Sequence, residues 1–241
     1  MSVPDLSERT VFVTGASRGL GRALAQAFAG AGARLVLCAR GEDDMARVAG
    51  ALRDRTEVEW GAVDVSDEAD VAALVARATE RFGPVDALVN NASVLGPRVP
   101  LRDHPLDEWR HVLDVNLTGT LIPTLAVLKG MREAGRGSII NVSSGVGNKA
   151  RARWGAYAIS KWGVEALAQN LAVEEADAGI RVNIVDPGRL RTEMRRTAYP
   201  EEDPTDPTPP EDATGVFLWL ASQESEGVTG ERFHALDWSR P

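Results

Sequence analysis

Cysteine is almost missing from this sequence: Cys38 is the only one among 241 residues. No disulfide can form within the chain, which fits a reducing cytoplasm. Cys38 follows Leu35-Val36-Leu37 and is expected in the core. Histidine is scarce as well. His104, His111 and His234 stand apart from one another, matching neither a metal site nor a Ser-His-Asp relay. Basic charge is in deficit, with 27 Lys and Arg against 35 Asp and Glu and a net charge of −8. Such a balance offers no global basic surface to nucleic acid or anionic lipid. No apolar run reads as long enough to cross a bilayer, and Met1-Ser2-Val3-Pro4-Asp5 is neither basic nor apolar like a leader. The expectation is a soluble cytoplasmic protein without membrane or nucleic-acid partners and without a metal.

What is present is a repeating rhythm. Hydrophobic content of 44% suffices for one sizeable core. Short apolar runs at 11–13, 34–38, 58–63, 87–90, 138–142, 181–185 and 232–236 read as strands. Amphipathic stretches near 20–30, 42–54, 67–82, 107–132, 154–178 and 212–221 read as helices, with Ser66-Asp67-Glu68 as one start signal. This alternation predicts an α/β fold: one domain spanning 1–241, a doubly wound sheet of about seven mostly parallel strands, and helices on both faces. Residues 197–212 break the rhythm with Pro200, Pro204, Pro207, Pro209 and Pro210 among acids. They predict a substrate-side loop at about 193–212, placed like a lid.

The first strand runs into Thr14-Gly15-Ala16-Ser17-Arg18-Gly19-Leu20-Gly21 and then a helix. Glycines there allow a tight turn and close backbone approach to a pyrophosphate, and the helix N-terminus offers N–H groups to it. Gly15, Ser17, Arg18, Gly19, Leu20 and Gly21 are therefore candidate cofactor residues in a Rossmann-like fold. An NAD site places an acid after the second strand for the ribose 2′-OH. This sequence reads Cys38-Ala39-Arg40 instead, and Arg40 with Arg18 suits a 2′-phosphate, so NADP(H) is expected over NAD(H). Glu42 and Asp43 count against that, though the first turn of a helix also favours acids. Asp64-Val65 ends the third strand, where the carboxylate can meet the adenine or cap the next helix. Asn90-Asn91-Ala92-Ser93 ends the fourth, at the ligand-binding edge of such sheets.

Tyr157 and Lys161 share one face of a helix. A free tyrosine has a pKa of about 10 and moves protons poorly at neutral pH, and a nearby ammonium favours the phenolate. A drop of roughly 3 units takes about 4 kcal/mol, within reach if a cofactor's positive ring assists. Alone, the pair also describes a surface tyrosine beside a solvated lysine.

Together, the turn at 14–21, Asn90-Asn91-Ala92, Asn116, a serine ahead of the tyrosine, Tyr157 with Lys161, and Pro187-Gly188 resemble the short-chain dehydrogenase/reductase family in order and spacing, across nearly the whole chain. The resemblance implies an NAD(P)-dependent oxidoreductase moving hydride between nicotinamide and a carbonyl or alcohol, in a homodimer or homotetramer. It implies that Ser144 binds the substrate oxygen, Ser143 being excluded only by family spacing. It implies that Tyr157 exchanges the proton, that Lys161 holds the ribose and lowers the tyrosine pKa, and that Asn116 positions a relay water. Asn91, Ala92, Pro187, Gly188 and Thr192 would then border the cofactor. Two departures stand out: Ser93 replaces a usual glycine, and the stretch 228–238 lacks the usual Asp-Gly-Gly.

Substrate contacts are expected from Val94, Val146, Trp154, Arg189 and Met194. The cluster Arg189, Arg191, Arg195 and Arg196, with Arg151 and Arg153, suits an anionic substrate or carrier protein, or else simply pairs with Glu201, Glu202 and Asp203. Two other functions stay open: a 3-oxoacyl thioester reductase acting on carrier-bound substrates, and a catalytically idle NADP(H) sensor or scaffold.

Overall fold

The computed structural model describes residues 3–240. Seven strands form one all-parallel sheet in the order β3-β2-β1-β4-β5-β6-β7. They are β1 Thr10–Thr14, β2 Arg34–Ala39, β3 Val58–Ala62, β4 Ala87–Asn90, β5 Gly137–Val142, β6 Ile180–Asp186 and β7 Arg232–His234. β1 and β4 are buried at every position, which is why they read as continuous rather than alternating apolar runs.

Eight helices cover the two faces. α1 Gly19–Gly30, α2 Glu42–Leu52 and α8 Gly215–Ala221 pack on one side, where Phe28, Leu24, Met45 and Phe217 are buried. α3 Glu68–Phe82, α5 Gly119–Ala134 and α6 Gly155–Glu174 pack on the other, around Phe12, Leu74, Leu88 and Met131. α4 Leu106–Leu113 and the short α7 Glu193–Ala198 flank the C-terminal edge of the sheet. Asp67, not Ser66, caps α3, its carboxylate accepting from the Asp70 N–H.

One π-helical turn, Asp114–Thr118, joins α4 to α5. The resulting helix of 29 residues, Leu106–Ala134, has a mean hydropathy of 1.3 over its most apolar window, so it is long and apolar enough to cross a bilayer. That corrects the reading of the sequence. Val127 and Met131 of this helix are nevertheless buried against the sheet and α3, as expected of a core helix.

The proline-rich stretch is also more ordered than a linker. Its first part is α7, capped by Thr192. The Arg191 N–H then donates to the Thr208 carbonyl and the Thr208 N–H to the Arg189 carbonyl, and Arg189 and Arg195 both reach Glu202. The sheet changes winding direction between β1 and β4, and the crevice at this switch point is where such folds bind ligands.

Candidate active site

A cleft of about 1040 Å³ lies along that crevice. At one end the turn after β1 is fixed by Thr14, whose Oγ1 accepts from the Asn91 and Ala92 N–H groups. The Asn91 side chain donates to the Thr14 and Gly15 carbonyls. Gly15 has φ +66°, and a Cβ on it would lie 2.8 Å from the Ala92 Cα. A Cβ on Gly21 would lie 2.2 Å from the Gly15 carbonyl oxygen. These two positions accept only glycine. α1 then starts with Arg18 as an N-cap whose side chain makes no capping bond, and with no acid in its first turn. Its first N–H groups thus face the cleft uncapped, which fits an anionic pyrophosphate.

Ser17, Arg18, Gly19, Leu20, Arg40, Asp64, Val65, Asn91 and Ala92 all line the cleft, as do Pro187, Gly188 and Thr192. Arg18 also pairs with Glu193 across the cleft at 2.5 Å. Asp64 does not cap α3; its carboxylate accepts from the N–H and hydroxyl of Ser66. Burial opposes its ionisation, yet those bonds, with Arg40 and His111, hold the carboxyl below its usual range.

At the other end stand Ser144, Tyr157 and Lys161. The π turn buries Asn116, which does not line the cleft. Its side chain exchanges bonds with the Val94 backbone, 2.8 Å from N–H to Oδ1 and 2.9 Å from Nδ2 to the carbonyl, and donates to Ser160 at 3.0 Å. Lys161 is buried and its Nζ donates to the Val142 carbonyl at 2.8 Å. The two serines separate clearly. Ser143 is buried and donates to Glu165, whereas Ser144 is half-buried and bonds the Tyr157 hydroxyl.

The electrostatics differ from the sequence expectation. Tyr157 is pushed up to about 12: burial is the largest cause, the Asp186 carboxylate adds to it, and hydrogen bonding from Ser144 and Ser93 opposes it. Burial lowers Lys161 to about 8 against the pull of Glu165 and Asp186. Lys161 does not depress the tyrosine because its Nζ is 5.8 Å from the phenol ring and faces a carbonyl. Both groups sit in a medium that disfavours charge.

Four residues make site contacts that the sequence did not show, Ser93 having been marked there only as a departure after Asn91-Ala92. Ser93 lines the cleft beside Tyr157, with its buried Oγ lacking an aligned partner, and its backbone is not left-handed, so serine is unstrained there. Asp186 accepts from Arg232 at 3.0 Å, and Arg232 also reaches Glu165 at 3.0 Å. Tyr199 lies 6.0 Å from Trp154, ring to ring. Long-range packing alone assembles these, so no local motif reveals them.

Of the expected substrate residues, Val94, Trp154 and Met194 line the cleft. Val146 does not; it is buried with Val112 and Ala198 behind the wall. Arg189 does not either, because Glu202 holds it at 2.5 Å. Arg195 shares Glu202, so two of the six expected arginines are tied to one carboxylate, and Arg191 donates to the Thr205 carbonyl.

This sheet, its glycine turn and its Ser-Tyr-Lys wall define a dinucleotide-dependent oxidoreductase architecture. The family model for short chain dehydrogenase matches residues 9–203, and the chain belongs to that family. It is 35% identical to the uncharacterized oxidoreductase YciK of Escherichia coli over 240 residues, covering 98% of this chain and 95% of that protein. It is 38% identical to the cis-4-hydroxycyclohexanecarboxylate dehydrogenase of Sinomonas cyclohexanicum, covering 93% of each. A short chain dehydrogenase from Shigella flexneri, solved with NADP, superposes with a TM-score of 0.92 at 34% identity, covering 97% of this chain and 99% of that one.

Proposed function

We propose that this chain is an NADP(H)-dependent oxidoreductase that interconverts a ketone and a secondary alcohol, with Tyr157 as the general acid and base. The observation that carries the reading is one cleft joining an uncapped, acid-free helix terminus to a wall of half-buried Ser144 and buried Tyr157 and Lys161. When bound, the nicotinamide supplies hydride at its C4.

Ser144 hydrogen-bonds the substrate oxygen and keeps it within reach of the Tyr157 hydroxyl. Tyr157 gives its proton to that oxygen in reduction and takes it back in oxidation. Lys161 orients the ribose, and the cofactor's positive ring, when bound, would stabilise the phenolate. Asn116 acts through position: it fixes Val94 and Ser160 around the wall, and its placement supports a water relay behind Lys161. Arg18 and Arg40 select the 2′-phosphate, a choice supported by the NADP-bound relative. Asp64 and Val65 border the adenine, and Asn91, Ala92, Pro187, Gly188 and Thr192 the pyrophosphate and nicotinamide. The Sinomonas relative is named for a ring alcohol, which supports a small cyclic substrate.

The carrier-protein reading is weakened because Glu202 engages both Arg189 and Arg195. The reading includes a cytoplasmic homo-oligomer, supported by exposed Leu125 on α5 and by Ile159 and Trp162 on α6. The test follows NADPH absorbance with ketones and aldehydes, beside NADH and Tyr157→Phe. Turnover that vanishes in Tyr157→Phe supports the assignment; turnover that survives it removes Tyr157 from proton transfer. NADPH binding without turnover of any compound brings the sensor reading forward.

A further inference from the structure

We propose that the substrate carries a carboxylate on a small ring or similarly short apolar body, and that Arg98 and Arg153 hold that carboxylate. The inference rests on the reductase reading and names the substrate class for the same site.

The substrate end of the cleft continues into a second cavity of about 400 Å³, which shares Leu95, Thr197 and Ala198 with it. The charged residues lining this extension are Arg98 and Arg153, and no acid joins them. Among the described residues, neither arginine forms an ion pair, in contrast to Arg189 and Arg195. The Arg98 guanidinium lies 4.6 Å from the Trp154 ring centre and 4.8 Å from that of Tyr199. One of its N–H groups donates to the Ala198 carbonyl, while its Nε is buried without a partner. With Arg98 and Arg153 both lining the cavity and no acid among its residues, a carboxylate there would meet the forked donor geometry that guanidinium favours.

The backbone is also unusual here. Arg153 has φ +67° and is the one non-glycine residue with positive φ among those described. Such a conformation is strained for a residue with a side chain and persists where surrounding structure imposes it. It precedes α6, so one corner presents Arg153 to the extension and Trp154 and Tyr157 to the cleft. The Trp154 and Tyr157 ring centres are 5.6 Å apart. One indole therefore separates the cation from the reacting phenol. A substrate spanning both needs about a ring's width between its carbonyl and its charge.

The probes are 4-oxocyclohexanecarboxylate and its methyl ester, with binding measured by calorimetry on the NADP⁺-loaded protein, where the ketone cannot be reduced. The acid is expected to bind at least about tenfold tighter than the ester, as for a hydrogen-bonded charge pair. That ratio should fall towards one in Arg153→Gln and Arg98→Gln, and invert in Arg153→Glu. Arg153 is exposed, so its variants keep the test valid if Arg98→Gln unfolds. Equal binding of acid and ester, a ratio unchanged by the Arg153 variants, or no binding of either probe overturns the proposal. Turnover with NADPH is read separately. Reduction of both probes with equal kcat/KM sinks the carboxylate site and leaves the reductase standing. Selective acid binding with neither probe reduced does the reverse.

Discussion

At the scale of single residues, the site is set by what surrounds Tyr157 rather than by the tyrosine–lysine spacing. Burial outweighs every favourable contact and keeps the phenol protonated, and it also lowers Lys161 to about 8. A positive ring bound in the cleft is the missing partner, because an opposite charge a few ångströms away lowers a phenol pKa by units. A spectroscopic titration of phenolate absorbance tests this, with Tyr157→Phe identifying the signal apart from Tyr199. Without cofactor, Tyr157 should ionise only near pH 12, and adding NADP⁺ should move that step to lower pH. A step that ignores NADP⁺ would show that the cofactor does not supply the field. The sequence could not choose between Ser143 and Ser144 without a family comparison. Their contacts do, since Glu165 occupies Ser143.

Among elements, the glycine turn is the most constrained. A Cβ at Gly21 meets backbone oxygen that cannot move aside, so Gly21→Ala should cost about 3 kcal/mol or more. In a chain of this size that lowers Tm by roughly 6–12 °C, measured by calorimetry. Gly50→Ala is the contrasting variant: it sits exposed inside α2 with nothing near a new Cβ, and should stabilise by about 0.5–1 kcal/mol. Equal effects from both would show that the turn is looser than its contacts imply. All seven strands were legible because apolar runs bounded by turns survive in any context; β4 matches residue for residue, and others shift by one or two. The departures have physical causes. The π turn at Asp114–Thr118 leaves no mark in a hydrophobic period, and α7 is a six-residue helix whose stability comes from Thr192 and from its neighbours. Asn116 was found as a residue, but its clamp on Val94 lies 22 positions away in the chain.

On the scale of the whole molecule, the net negative charge conceals a division between arginines that are locally matched and those that are not. Glu202 is the pivot, bound by Arg195 at 2.6 Å and by Arg189 at 2.5 Å, and so ties the proline-rich stretch back to α7 and the strand end. Hydrogen bonding from Arg195 lowers its carboxyl from 4.5 to about 2, with burial opposing and Arg189 assisting. A carboxyl whose folded pKa is depressed contributes fully above its unfolded value and loses that contribution as pH falls through the folded one. The clamp should therefore hold from neutral pH down to about 4.5 and weaken progressively towards pH 2. The pair is partly solvated, so the whole-chain Tm should change little and the local opening should change more. In Glu202→Gln, limited trypsin digestion at neutral pH is expected to cut faster at Arg189, Arg191, Arg195 and Arg196 than in the parent chain, with other sites unaffected. Digestion that is equally slow in both would show that the Thr208–Arg191 backbone bonds alone hold the segment. Faster digestion would place the part of the cleft lined by Thr197 and Ala198 under the control of one carboxylate, a long-range tie to which no local sequence motif points.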